Sequence, residues 1–112
     1  MPNMKQDRGA DQALGRTVNA IMFQQGLTRR ELGRALNVTG PLAGRKLRGD
    51  VSWSILDILL AAQLLNVEPA SLIPTIDGDT YVPAMLGEAF AVPRAPTSDE
   101  YTAGDLNPEP AD

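Results

Sequence analysis

Residues 28–49, TRRELGRALNVTGPLAGRKLRG, read as two short helices joined by a tight turn. Thr28 is a good N-cap, and Glu31 three residues on completes a capping box, each side chain satisfying one orphan N–H of the helix start. The first helix therefore begins at Arg29. Leu32, Ala35 and Leu36 recur at helical spacing, and the pattern stops at Asn37, which tolerates the left-handed conformation of a helix end. Val38 buries the turn. Thr39 caps a second helix whose first turn holds Pro41, where a missing N–H costs no intrahelical bond. Gly49 closes it.

The second helix has two chemically different faces. Ala43 and Leu47, four apart, point inward with Val38, whereas Pro41, Gly44, Arg45 and Arg48 lie on the other side. That outer face is small at its amino end and cationic at its carboxyl end. Small residues let a helix backbone sit deep in a major groove, and arginine either clamps a phosphate or pairs bidentately with guanine. A basic helical face is also what an ordinary solvated surface looks like. The caps, the turn and the charges nevertheless agree on one DNA-docking motif.

The run GLTRRELGRALNVTGPLAGRKLRGDVSWSILDILLAAQLLNVEPASLI, residues 26–73, resembles the five-helix DNA-binding domain of the lambda-repressor and Cro type, also called the xenobiotic-response-element family. The likeness extends over roughly residues 10–74, and its most specific part is GRKLRGDVSWSILDI, residues 44–58. It implies an all-α, five-helix fold and binding to an operator in double-stranded DNA by a homodimer. By the same likeness Arg29 takes the place of a polar residue that touches phosphate, and Gly40, Pro41, Gly44 and Arg45 fall where bases are read. The first two of these are usually polar in the family, and Gly and Pro offer no side-chain hydrogen bond. With the remaining basic and capping residues of the two helices, the expected DNA-binding set is Arg29, Arg30, Arg34, Thr39, Gly40, Pro41, Gly44, Arg45, Lys46 and Arg48.

Charge is divided along the chain. Residues 1–60 hold nine cations against five acids, giving +4, and residues 61–112 hold one cation, Arg94, against nine acids, giving −8, which together make the net −4. A basic amino half and an acidic carboxyl half suit a protein that docks one end on nucleic acid and turns the other away. With 112 residues and 43% hydrophobic content the chain holds one core. It has no Cys and no His, which removes disulfides, thiolate zinc sites and the commonest general base. No catalytic site, metal or cofactor is therefore expected, and an enzyme is the least favoured class. No stretch is apolar enough to span a bilayer and no secretory leader is evident, so a cytoplasmic protein is expected, on the nucleoid when bound to DNA.

Around the motif, Leu14, Val18, Ile21 and Met22 fit one helix face, predicting a first helix from about Asp11 to Gln25 that stops at Gly26. Ser54 and Asp57 form a second capping box, with Trp53 and Ile58 as a hydrophobic staple. That account makes Trp53 a core residue rather than a stacking platform for bases. The helix so capped should bury Ile55, Ile58, Leu59, Ala62 and Leu65. A short fifth helix from Pro69 should carry Leu72 and Ile73 inward. Asp77-Gly78 predicts a small hairpin in TIDGDTYV, residues 75–82. PAMLGEAFAV, residues 83–92, predicts a short helix exposing Met85, Leu86, Phe90 and Val92 for the core or for a dimer contact.

The expected organisation is a flexible arm over 1–10, the DNA-binding domain over 11–74, an extension over 75–92 and an acidic disordered tail over 93–112. Three function classes follow. The first is a sequence-specific transcription regulator, by resemblance a phage immunity repressor or Cro-like switch protein that occludes a promoter. The second is an antitoxin with the same DNA-binding domain, whose acidic carboxyl part would wrap a basic toxin partner. The third is an interaction module without DNA binding, suggested by Gly40 and Pro41 at reading positions.

Overall fold

The computed structural model describes residues 8–94. The expectations for residues 1–7 of the arm and 95–112 of the tail lie outside the described residues. The elements are α1 (Gly9–Gln25), α2 (Arg29–Leu36), α3 (Gly40–Leu47), α4 (Ile55–Leu65) and a single 3-10 turn (Pro69–Leu72). A hairpin of β1 (Thr75–Asp77) and β2 (Thr80–Val82) follows, then a second 3-10 turn (Glu88–Phe90) and β3 (Val92–Pro93). The sheet is antiparallel in the order β1-β2-β3, with Ile76 opposite Tyr81 and Tyr81 opposite Val92.

Local signals set the helix ends. Thr28 Oγ1 accepts from the Glu31 N–H at 3.1 Å while the Thr28 N–H donates to Glu31 Oε1 at 2.8 Å. Ser54 and Asp57 do the same for α4. Gly26, Asn37 and Asn66 close α1, α2 and α4 in the left-handed conformation, with φ of 71°, 61° and 59°. In each case the next residue's N–H turns back onto the helix: Leu27 to Met22 O, Val38 to Gly33 O and Val67 to Ala62 O. Leu14, Val18, Ile21, Met22, Leu32, Leu36, Ala43, Trp53, Ala61, Ala62, Leu65 and Leu72 form one core. α1 packs against both α3 and α4, and α2 also packs against both.

Several expectations are corrected. The fold is mostly helical but carries a small sheet, and the described residues form four α-helices rather than the expected five. In place of the fifth stands the 3-10 turn, because Pro74 biases Ile73 out of the helical region, to φ −82° and ψ 123°. Leu72 enters the core while Ile73 stays on the surface. α1 starts at Gly9, so the last two residues of the expected arm are helical. PAMLGEAFAV does not form an α-helix. Gly87, at φ 78° and ψ −171°, sits in a region that essentially only glycine occupies, and Met85 is left-handed at φ 70°.

The 83–92 segment packs on α1. Thr17 Oγ1 donates to Ala84 O and Arg16 Nη1 to Phe90 O, both at 2.8 Å, and Pro83 and Val92 are buried. Val92 is thus part of the monomer core, and Pro93 is a strand residue rather than the first residue of a tail. On α4 the buried residues are Asp57, Ala61, Ala62 and Leu65, whereas Ile55 and Leu59 face solvent together with Leu56. Trp53 and Ile58 line a common groove that Ile73 also borders. No helix among the described residues is long and apolar enough to cross a membrane.

Candidate nucleic-acid interface

The two helices of the motif meet through one narrow contact. A Cβ on Gly33 would lie 2.8 Å from Val38 O and 3.1 Å from Thr39 O, closer than packed atoms tolerate. Only glycine lets α2 come this near to the turn, and that approach sets the angle at which α3 leaves it. Thr39 Oγ1 then accepts from the Leu42 N–H at 3.2 Å and fixes the start of α3. Leu32, Leu36 and Ala43 bury the inner faces of both helices.

The carboxyl end of α3 is held from behind. Lys46 is 7% exposed, and its Nζ donates to Asp57 Oδ2 and to Ser52 O, each at 2.8 Å. Trp53 Nε1 donates to Lys46 O at 2.8 Å, and the Trp53 N–H donates to Asp11 Oδ1 at the same distance. Burial alone would push the Asp57 carboxyl pKa up. The Lys46 ammonium and the Ser54 N–H outweigh that effect and hold it below the ordinary carboxylate value. These bonds join α3 to α4 and to α1. A Cβ on Gly15 would overlap the Leu47 carbonyl, so α1 also lies directly on the end of α3.

This corrects the expectation for Lys46, whose charge is spent inside the fold. Helical spacing carried the signal, since Lys46 follows Ala43 by three and shares its inward face. Gly44 is likewise not a bare outer position. It is buried, and a Cβ there would lie 3.0 Å from both Cδ and Nη1 of Arg29, whose side chain crosses from α2 to cover it. Gly40 is half-buried beside the backbone of Arg30. Pro41, Arg45 and Arg48 form the exposed row of α3 at spacings of four and three.

Arg29, Arg30, Arg34 and Arg45 are exposed, and none makes a side-chain hydrogen bond or ion pair among the described residues. Arg48 meets Asp50 at 3.2 Å with both side chains more than half exposed, an arrangement worth little in water. The helix dipole favours Arg34 and Arg45, which lie in the last turns of α2 and α3, but not Arg29 and Arg30. Arg29 and Arg30 stand at the positive end of the α2 dipole, and Arg30 and Arg34 are like charges four apart; each arrangement costs a few tenths of a kcal/mol. The result is a cationic surface with unused donors around a helix whose amino end lacks side-chain bulk. Among the described residues no group of acids could hold a metal ion.

No protein-family model and no curated protein matches the chain. Solved structures do. The clp gene regulator ClgR from C. glutamicum is similar with a TM-score of 0.53 and 24% identity, over 56% of this chain and 82% of that one. The restriction-modification controller protein C.AhdI from Aeromonas hydrophila is similar with the same TM-score and identity, over 56% of this chain and 96% of that one. At this identity the likeness is one of fold, and it bears out the expected helix-turn-helix architecture.

Proposed function

We propose that this protein is a sequence-specific DNA-binding transcription regulator, a repressor of the phage immunity or Cro-like type that acts by occupying a promoter. The observation that carries the reading is the group of four exposed, unpartnered guanidinium groups, Arg29, Arg30, Arg34 and Arg45, around α3. Arg29 and Arg30, unpaired and placed against the α2 dipole, are explained by a polyanion that pairs with them. That the similar folds belong to a gene regulator and a controller protein supports the same reading. In it, α3 enters the major groove. Arg45 donates to the N7 and O6 of a guanine, and Arg30, Arg34 and Arg48 hold phosphates. Thr39 presents the amino end of α3, while Gly40 and Pro41 keep it slim enough for close approach. No chemistry and no metal enter.

A two-fold operator requires two copies, and the exposed Ile55, Leu56 and Leu59 on α4 offer an apolar surface for pairing them. The antitoxin alternative rests on acids in residues 95–112, and nothing in the described residues favours it. Selection of bound sequences from random duplex DNA, followed by titration over a range of salt, tests the proposal. Three phosphates per copy give a slope of log K against log salt of about −5 for a dimer and about −3 for a monomer. A slope near zero, or no selected sequence, overturns the DNA-binding reading.

A further inference from the structure

Arg29 belongs to α2, yet its side chain does not point away from the motif. It lies along α3, with Cδ and Nη1 each 3.0 Å from where a Gly44 Cβ would stand. Three features make this position available. Gly44 has no side chain, so the surface of α3 is open at its middle. Gly40 and Pro41, one turn earlier, bring no hydrogen-bonding side chain to the same end of the helix. Glu31, the carboxylate nearest along α2, accepts from both the N–H and the hydroxyl of Thr28, and Arg29 has no hydrogen-bonded or ionic partner among the described residues. The guanidinium is therefore laid against the helix that enters the groove, with its donors unused.

We infer that Arg29 is a specificity-determining residue that reads a guanine edge across the glycine gap at Gly44, supplying from α2 the base contact that Gly40 and Pro41 do not make. The inference rests on the DNA-binding reading above and deepens it. Resemblance alone implied a phosphate contact at this position. A phosphate contact needs only charge, whereas a guanine contact needs the two-pronged donor geometry that arginine has and lysine lacks. The glycine is part of the device: a Cβ at position 44 forces the Arg29 stem to shift by a few tenths of an ångström without touching any backbone.

Two substitutions in the full chain separate the roles. Arg29→Lys keeps the charge and removes the fork. Gly44→Ala keeps Arg29, favours the helix by propensity, and moves the guanidinium. Binding is measured on the sequence selected by the wild-type protein and on single-base-pair variants of it. The expected result is that each substitution reduces discrimination at the same one base pair by about tenfold or more, while affinity for random DNA and the salt slope stay as in the wild type. Equal affinity losses of Arg29→Lys on selected and random DNA, or unchanged discrimination at every position in both variants, overturn the inference and leave the DNA-binding reading intact. A wild-type protein that selects no sequence overturns both. Circular dichroism of the two variants is expected to match the wild type, and Arg29→Lys, exposed at a helix start, supplies the test by itself if Gly44→Ala unfolds.

Discussion

The same residue type does opposite work on the two sides of this molecule. Behind α3 and across the sheet, cations are consumed by the fold: Lys46 is buried on Asp57, Arg16 donates to Phe90 O, and Arg94 donates to Gly78 O at 2.9 Å with its guanidinium 5.8 Å from the centre of the Tyr81 ring. On α2 and the outer row of α3, Arg29, Arg30, Arg34 and Arg45 bond to nothing among the described residues. Cationic side chains that stabilise a fold find carbonyls and carboxylates within it. Those on α2 and the outer row of α3 are left with their donors facing water, and Arg29 and Arg30 stand against the α2 dipole.

The largest expected effect tests the first half of that contrast. Lys46→Ala leaves the Asp57 carboxylate buried without its counter-ion and frees the carboxyl end of α3, and a loss of about 3 to 5 kcal/mol is expected in urea unfolding. A loss comparable to that of an exposed arginine would remove Lys46 from the structural set. The pair also sets an acid limit. Because the Asp57 pKa is lowered in the folded chain, its contribution is complete above about pH 4 and fades as the pH falls through the depressed value. A chain carrying Lys46→Met together with Asp57→Leu should lack that part of the acid dependence.

The second half of the contrast predicts a smaller and purely functional effect. Arg45→Ala is expected to weaken binding to the selected site by about 1 to 3 kcal/mol and to relax one position of it. Its unfolding free energy should stay within about 0.5 kcal/mol of the wild type. A marked drop in the unfolding midpoint would mean that Arg45 holds the fold after all, and the division drawn between the two sides would fail.

The smallest effect concerns the acidic end. Residues 95–112 hold Asp99, Glu100, Asp105, Glu109 and Asp112 and no cation, a run of negative charge on the same chain as the cationic surface. Ending the chain after Arg94, whose N–H donates to Asp79 O and whose side chain donates to Gly78 O, should leave the thermal midpoint nearly unchanged. Affinity for random DNA should rise slightly at low salt and not at high salt. If truncation instead changes the oligomeric state, the segment contributes to assembly rather than to charge balance.

Most of the motif was legible because its determinants are local. Thr28 with Glu31, Thr39 before Pro41, Ser54 with Asp57, and the left-handed Gly26 and Asn37 each act within a few residues, so their spacing alone fixed the helix ends. What the sequence concealed depends on distant partners. α4, ILDILLAAQLL, is apolar almost all round, so periodicity had no polar stripe from which to choose a buried face. The fold buries Ala62 and Leu65 as expected, but with Ala61 and the Asp57 that meets Lys46 in place of Ile55 and Leu59. The short helix expected over 83–92 failed at Gly87, where backbone conformation overrode side-chain pattern. The reach of Arg29 across Gly44 is likewise invisible in the chain, because it joins residues of two helices through the absence of a Cβ.

The indole bond between Trp53 and the Lys46 carbonyl gives the chain a built-in optical reporter. Trp53 is the single tryptophan, it is 8% exposed, and its Nε1 donates to the backbone of the helix that carries Arg45. Its backbone N–H donates to Asp11 of α1, so its emission follows the joint at which α1, α3 and the start of α4 meet. A red shift marks the opening of that joint, and a variant that loses DNA affinity at unchanged emission has lost a contact rather than a scaffold.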